Sequence, residues 1–154
     1  MFDDKVLIFG GGGKDNKVLF SVLEFDPTSL TCKEMSELPH PLFGMATVRW
    51  RDQVVLLGGY VLKEILNSAI MYDSKTGKSK VLPSMLQKRL GCCAVIKDDT
   101  IVVMGGVNDK DEPLKSMECF KIGWSSSWIY LPLMNEPRKG AFSEVLPFGK
   151  SISE

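Results

Sequence analysis

The sequence is poor in the groups that usually carry chemistry. It holds one histidine, His40, framed by Pro39 and Pro41 in 154 residues. No Ser/His/acid arrangement can be built around a lone imidazole in such a frame, and an exposed connector is its expected place. Nineteen basic residues balance nineteen acidic ones, which removes support for a nucleic-acid footprint or a basic membrane patch. No apolar run approaches a bilayer span, and the start of the chain (Asp3, Asp4 and Lys5 before a short apolar run) does not resemble a secretory signal. A cytoplasmic protein is the expectation. Cys32, Cys92, Cys93 and Cys119 have no metal-ligand spacing. Cys92 and Cys93 fall on opposite faces of one expected strand, as buried thiols rather than a disulfide pair. The acidic stretch 109–112 lacks the alternation and glycine of a calcium loop. The Gly10-to-Lys14 run lacks the Ser or Thr and the helix that a phosphate-cradling loop needs. Catalytic residues, metals and cofactors are therefore not expected.

What the chain does have is repetition. An apolar run closed by paired glycines occurs three times: Val6 to Phe9 before Gly10 and Gly11, Val54 to Leu57 before Gly58 and Gly59, and Ile101 to Met104 before Gly105 and Gly106. The first glycines of the pairs are 48 and 47 residues apart. Self-similarity at this period marks a stack of small units that bury their faces against one another. Each run is short, β-branched and preceded by a turn signal, which predicts a strand buried on both faces.

Each repeat continues with a polar connector and a second alternating run over 17–26, 67–73 and 115–121, which ends near Phe25, Tyr72 or Phe120. A turn, a short strand and a Leu-Pro step follow, and a glycine then opens an apolar strand at 44–48, 91–96 and 140–146. Four short strands per repeat and no helical pattern predict an all-β chain of propeller blades, each a four-stranded antiparallel sheet. The repeats are placed at about 3–42, 43–89 and 90–138, with a further blade starting over about 139–147. Glycine suits the crowded strand ends, and the aromatics suit the wedge between neighbouring blades.

On these residues the chain resembles the Kelch-repeat family from Asp3 to about Leu146. The marks are the glycine doublets, the aromatic before the turn, Trp128 eight residues after Phe120, and Arg89 and Arg138 entering the next unit. Cys32 and Ser79 stand at the tryptophan position of the first two repeats, and Leu42 at the arginine position of the first. The resemblance implies a protein-interaction module, foremost the substrate-recruiting propeller of a cullin-dependent ubiquitin ligase adaptor. Its alternatives are an actin-binding protein and a propeller enzyme of isomerase or metal-dependent lyase type. Contact residues are expected on the connectors, at Asn16, Tyr60, Lys63, Glu64, Asn108 and Asp109. Arginines at the blade entry line the partner-binding mouth in similar proteins and receive acidic segments, so Arg89 and Arg138 join that set, with a purely bracing role as the alternative. Twelve expected strands make three blades, fewer than the four to eight that close a ring. Either the chain is a piece of a longer propeller, favoured by the abrupt start at Met1, or two copies meet to form six blades.

Overall fold

The computed structural model describes residues 5–146. Its strands follow the repeats. The first sheet contains β1 (Val6–Gly12), β2 (Val18–Asp26) and β3 (Thr31–Glu34). The second contains β4 (Ala46–Trp50) and β5 (Gln53–Leu57). A small hairpin follows, β6 (Tyr60–Val61) and β7 (Glu64–Ile65), before the same sheet resumes with β8 (Ala69–Asp73) and β9 (Ser79–Leu82). The third contains β10 (Cys93–Lys97), β11 (Thr100–Met104), β12 (Met117–Lys121) and β13 (Ile129–Leu131). All pairings are antiparallel, in the orders β1-β2-β3, β4-β5-β8-β9 and β10-β11-β12-β13.

These are three successive propeller blades, and registers match across them. Leu56 pairs with Ile70, Val103 with Glu118 and Ile8 with Leu23, one rung in three copies. The glycine doublets are equally repeated. A Cβ on Gly10, Gly58 or Gly105 would land on the carbonyl oxygen of Leu42, Arg89 or Arg138 respectively. The next glycine donates its N–H to that same carbonyl: Gly11 to Leu42 at 2.9 Å, Gly59 to Arg89 at 2.8 Å and Gly106 to Arg138 at 2.8 Å. All six have positive φ, so the doublet is fixed both by backbone conformation and by close approach to the blade-entry chain.

The main core lies between the second and third blades. It joins Ala46, Val48, Val55 and Leu57 to Ile101, Val103, Phe120 and Trp128. Trp128 stacks on Phe120, with ring centroids 5.3 Å apart, and its indole N–H donates to the carbonyl of Pro83 at 2.8 Å. A smaller cluster joins the first two blades through Val22, Leu38, Leu42, Leu56 and Tyr72. There Tyr72 meets Phe9 edge-on, and its hydroxyl donates to the carbonyl of Ser36 at 3.0 Å. Phe25 is only half-buried, and Cys32 and Ser79 are exposed, so the tryptophan wedge exists only at the junction that has Trp128.

Two expectations require correction. Residues 141–146 do not form a strand. They lie along β10, where the Ser143 hydroxyl donates to the Ala94 carbonyl at 3.2 Å, but among the described residues no further strand offers them a ladder. The β1 run is not buried on both faces: Val6 is 48% exposed and Ile8 47%. No strand flanks the outer edge of β1 among the described residues, so the first sheet has three strands. The expected Asp3-Asp4 turn and the last residue of the fourth-blade segment, 147, fall outside the described residues.

Candidate protein-interaction face

Strand direction carries every connector between a blade's second and third strands to one end of the sheets. The blade-to-blade connectors come to the same end. Phe43 and Tyr60 exchange backbone hydrogen bonds there, as do Leu90 and Val107. Gly91 N–H donates to Gly44, and Gly140 N–H to Gly91, each at 2.9 Å. This relay of main-chain bonds links one blade entry to the next.

The connectors themselves are held by local chemistry. Residues 14–16 form a single 3-10 turn in which Asp15 and Asn16 have φ of 56° and 59°. The run after Gly10 therefore bends back into β2 and starts no helix. Leu62 and Lys63, with φ of 45° and 71°, close the hairpin between β6 and β7. Asn108 organises the third connector: its side-chain oxygen accepts from the N–H groups of Lys110 and Glu112 at 2.9 and 3.0 Å, while its amide donates to the Glu112 carboxylate. Such short polar side chains stabilise turns by replacing backbone partners.

Asn16, Lys63, Glu64 and Asp109 are exposed on this end, and Tyr60 and Asn108 are half-buried. Leu62 beside them is 86% exposed. Lys88 approaches Asp109 at 4.0 Å, which joins the second blade's exit to the third blade's connector. His40 is half-buried rather than exposed, with Nδ1 3.0 Å from the Pro41 carbonyl. Among the described residues no group of three or more His, Cys, Asp or Glu side chains is placed to hold a metal ion, and no helix is long and apolar enough to cross a membrane. Burial pushes the Cys92 thiol up to about 11, far from a reactive thiolate at neutral pH.

The two arginines stand in different surroundings. Arg89 is 0% exposed. Its guanidinium donates to the Glu118 carboxylate at 2.9 and 3.2 Å, to the carbonyls of Gly105 and Ser116 at 2.8 and 3.0 Å, and to the Ser116 hydroxyl at 2.8 Å. Gln87 completes the cage through Arg89 and Ser116. Glu118 also accepts from the N–H groups of Leu86 and Gln87, so one buried ion pair fixes the connector to the next blade. This is the geometry of a brace, with no donor turned towards a mouth. Arg138 is exposed, and among the described residues its side chain has no ion pair or hydrogen bond.

Glu118, Ser116 and Gln87 were not singled out by sequence reasoning. The available signal was a carboxylate inside the otherwise apolar rung occupied by Ile70 and Leu23 in the other repeats. Sequence reasoning also missed a groove of about 540 Å³ between the first two blades, lined by Lys5, Leu7, Phe9, Thr47 and Arg49 among others.

Comparison with known proteins places these features in context. The model of the Kelch motif matches residues 41–86 and 88–135. Kelch-like protein 41a of Danio rerio is 31% identical over 134 residues, covering 84% of this chain and 22% of that protein. Kelch-like protein 40b of the same organism is 32% identical over 114 residues, 69% of this chain and 18% of its own length. An F-box/kelch-repeat protein of Arabidopsis thaliana is 33% identical over 114 residues, 70% of this chain and 26% of its own length. The chain thus spans about a fifth to a quarter of these relatives.

Proposed function

Since this chain belongs to the Kelch-motif family and is a protein-interaction module of that kind, we propose that its connector end recruits a protein partner through a short acidic segment. The observation that carries the reading is the convergence of three connectors on one end of a stiff β scaffold. Loops held in this way vary in side chain without disturbing the sheets. Lys63 and Lys88 supply positive charge, Tyr60 and Leu62 supply contact area, and Asn16, Glu64, Asn108 and Asp109 supply hydrogen-bonding groups. Arg89 acts from behind this face by holding residues 86–90 in place.

In the whole protein, this end would receive the substrate of a cullin-dependent ubiquitin ligase adaptor in the cytoplasm. The naming of kelch repeats together with an F-box in Arabidopsis relatives supports a recruiting role. Actin binding is the second reading. The test is capture of partners by the whole protein, followed by titration of the captured acidic segment against wild type, Lys63→Glu and Tyr60→Ala. Loss of at least tenfold in affinity is expected for Lys63→Glu. Equal affinity for all three would remove this face from the site, and co-sedimentation with actin filaments would favour the second reading.

A further inference from the structure

Two neighbouring cations on the connector from the second blade to the third take opposite courses. Arg89 is buried, and the Lys88 side chain beside it is 44% exposed. The main chain that carries Lys88 is fixed on three sides. Glu118 accepts from the N–H groups of Leu86 and Gln87, the Arg89 N–H donates to the Leu66 carbonyl at 2.9 Å, and Leu90 exchanges bonds with Val107. Lys88 therefore stands at a set point between its own blade's hairpin connector and the connector of the third blade.

The carboxylate that reaches it comes from that third connector. The turn there is closed from within: the Asp111 N–H donates to the Asn108 carbonyl and the Asn108 N–H to the Glu112 carbonyl, each at 3.1 Å. The Asn108 amide occupies the Glu112 carboxylate at 2.8 Å. Asp109 is left at the tip, with Oδ2 4.0 Å from the Lys88 Nζ. That separation is too long for a hydrogen bond. With side chains 44% and 59% exposed, the pair is a weak contact that salt screens. The fold does not require it either. Counted from the glycine doublets, the same two places at the preceding junction carry Pro41 and Leu62.

We propose that Lys88 is the subsite for a carboxylate of the acidic segment, and that Asp109 is a built-in rival for the same ammonium that holds the affinity of this end down. The proposal rests on the reading of the connector end given above and assigns its charge contact. A ligand carboxylate that comes within hydrogen-bonding distance makes the charge-assisted bond that Asp109 does not make. Because the main chain under Lys88 is already ordered by Glu118, Leu66 and Val107, less freedom is lost when that bond forms. Asp109 opposes the same step by placing a like charge beside the incoming group. Changing it to Asn removes that charge and keeps a carbonyl acceptor for the segment's N–H groups.

The experiment is titration of a fluorescently labelled glutamate hexamer against the whole protein at low salt, where surface charge is least screened. Asp109→Asn should tighten binding by about threefold, the scale of one surface ion pair. Asp111→Asn makes the same change of net charge on the same turn and should give less than half that gain. Lys88→Gln should weaken binding by roughly fivefold and remove the difference between the two aspartate changes, whereas Lys88→Arg should retain binding. Equal gains from Asp109→Asn and Asp111→Asn would overturn the proposal, since net charge alone would then act. So would unchanged affinity in Lys88→Gln, or no binding of the hexamer by Asp109→Asn. The Lys63→Glu variant separates the two readings: if it weakens hexamer binding and Lys88→Gln does not, the connector face stands and this subsite falls. If neither does, both fall.

Discussion

Arg89 and Leu42 solve one problem at two junctions. Both are buried at a blade entry, and the rung each faces carries Glu118 in one blade and Ile70 in the other. An ion pair out of water must recover a large desolvation cost, so truncating one partner is far more damaging than replacing both. Glu118→Ala should therefore destabilise the protein by about 3–5 kcal/mol. The double change Arg89→Leu with Glu118→Ile, copied from the preceding junction, should recover most of that loss in a urea-unfolding cycle. A double variant no more stable than Glu118→Ala would mean that the cage of carbonyls, not the carboxylate, holds Arg89. Thiol chemistry follows burial at the same scale. Cys32 is exposed whereas Cys92 is buried with its thiol held at about 11, so an alkylating reagent at pH 7.5 should modify Cys32 in the folded protein and reach Cys92 only on unfolding.

Among the elements, the third blade is the best anchored, because Phe120, Trp128 and the Pro83 carbonyl tie β12, the chain before β13 and the second blade's exit together. Trp128→Ala should cost about 3–5 kcal/mol, measured as a shift of the denaturation midpoint. Cys32→Trp, at the matching exposed place in the first blade, should gain little. The glycine doublets and the alternating runs made the sheets legible in the sequence, since period-2 patterns and positive-φ sites leave a mark in residue type. The segment 140–146 was read as a strand for the same reason, and its alternation survives in its exposure. A ladder needs a neighbour, however, and no pattern within a strand reports whether the neighbour is there. The candidate face was legible only as a set of connectors. That Arg89 turns inwards depends on Glu118, 29 residues away, and such a pairing is invisible until the blades are stacked.

For the whole molecule, acid is the expected weak point. Asp26, Asp52 and Asp73 all have their carboxyls held below the usual carboxylate range: Asp26 mainly by Lys5, Asp52 by Lys75, and Asp73 by the Thr76 N–H. A group that is more acidic when folded than unfolded contributes stability above its unfolded value near 3.8 and loses it as the folded carboxylate takes up its proton. The melting temperature should hold from pH 7 to about 5 and fall progressively below about 4. All three aspartates are exposed or half-buried and lie in turns at the ends of strands, so salt should blunt the effect. A melting temperature that stays level down to pH 2 would show that these turns contribute nothing to folding. The relay from Gly44 through Gly91 to Gly140 has a different consequence. Because it is made only of peptide groups, this part of the joint between successive sheets does not depend on side chains, unlike the Arg89 ion pair and the junction core that reinforce it. Blades grafted between unlike propellers would keep this main-chain link if their entry glycines travel with them, and would still need matched side chains across the junction.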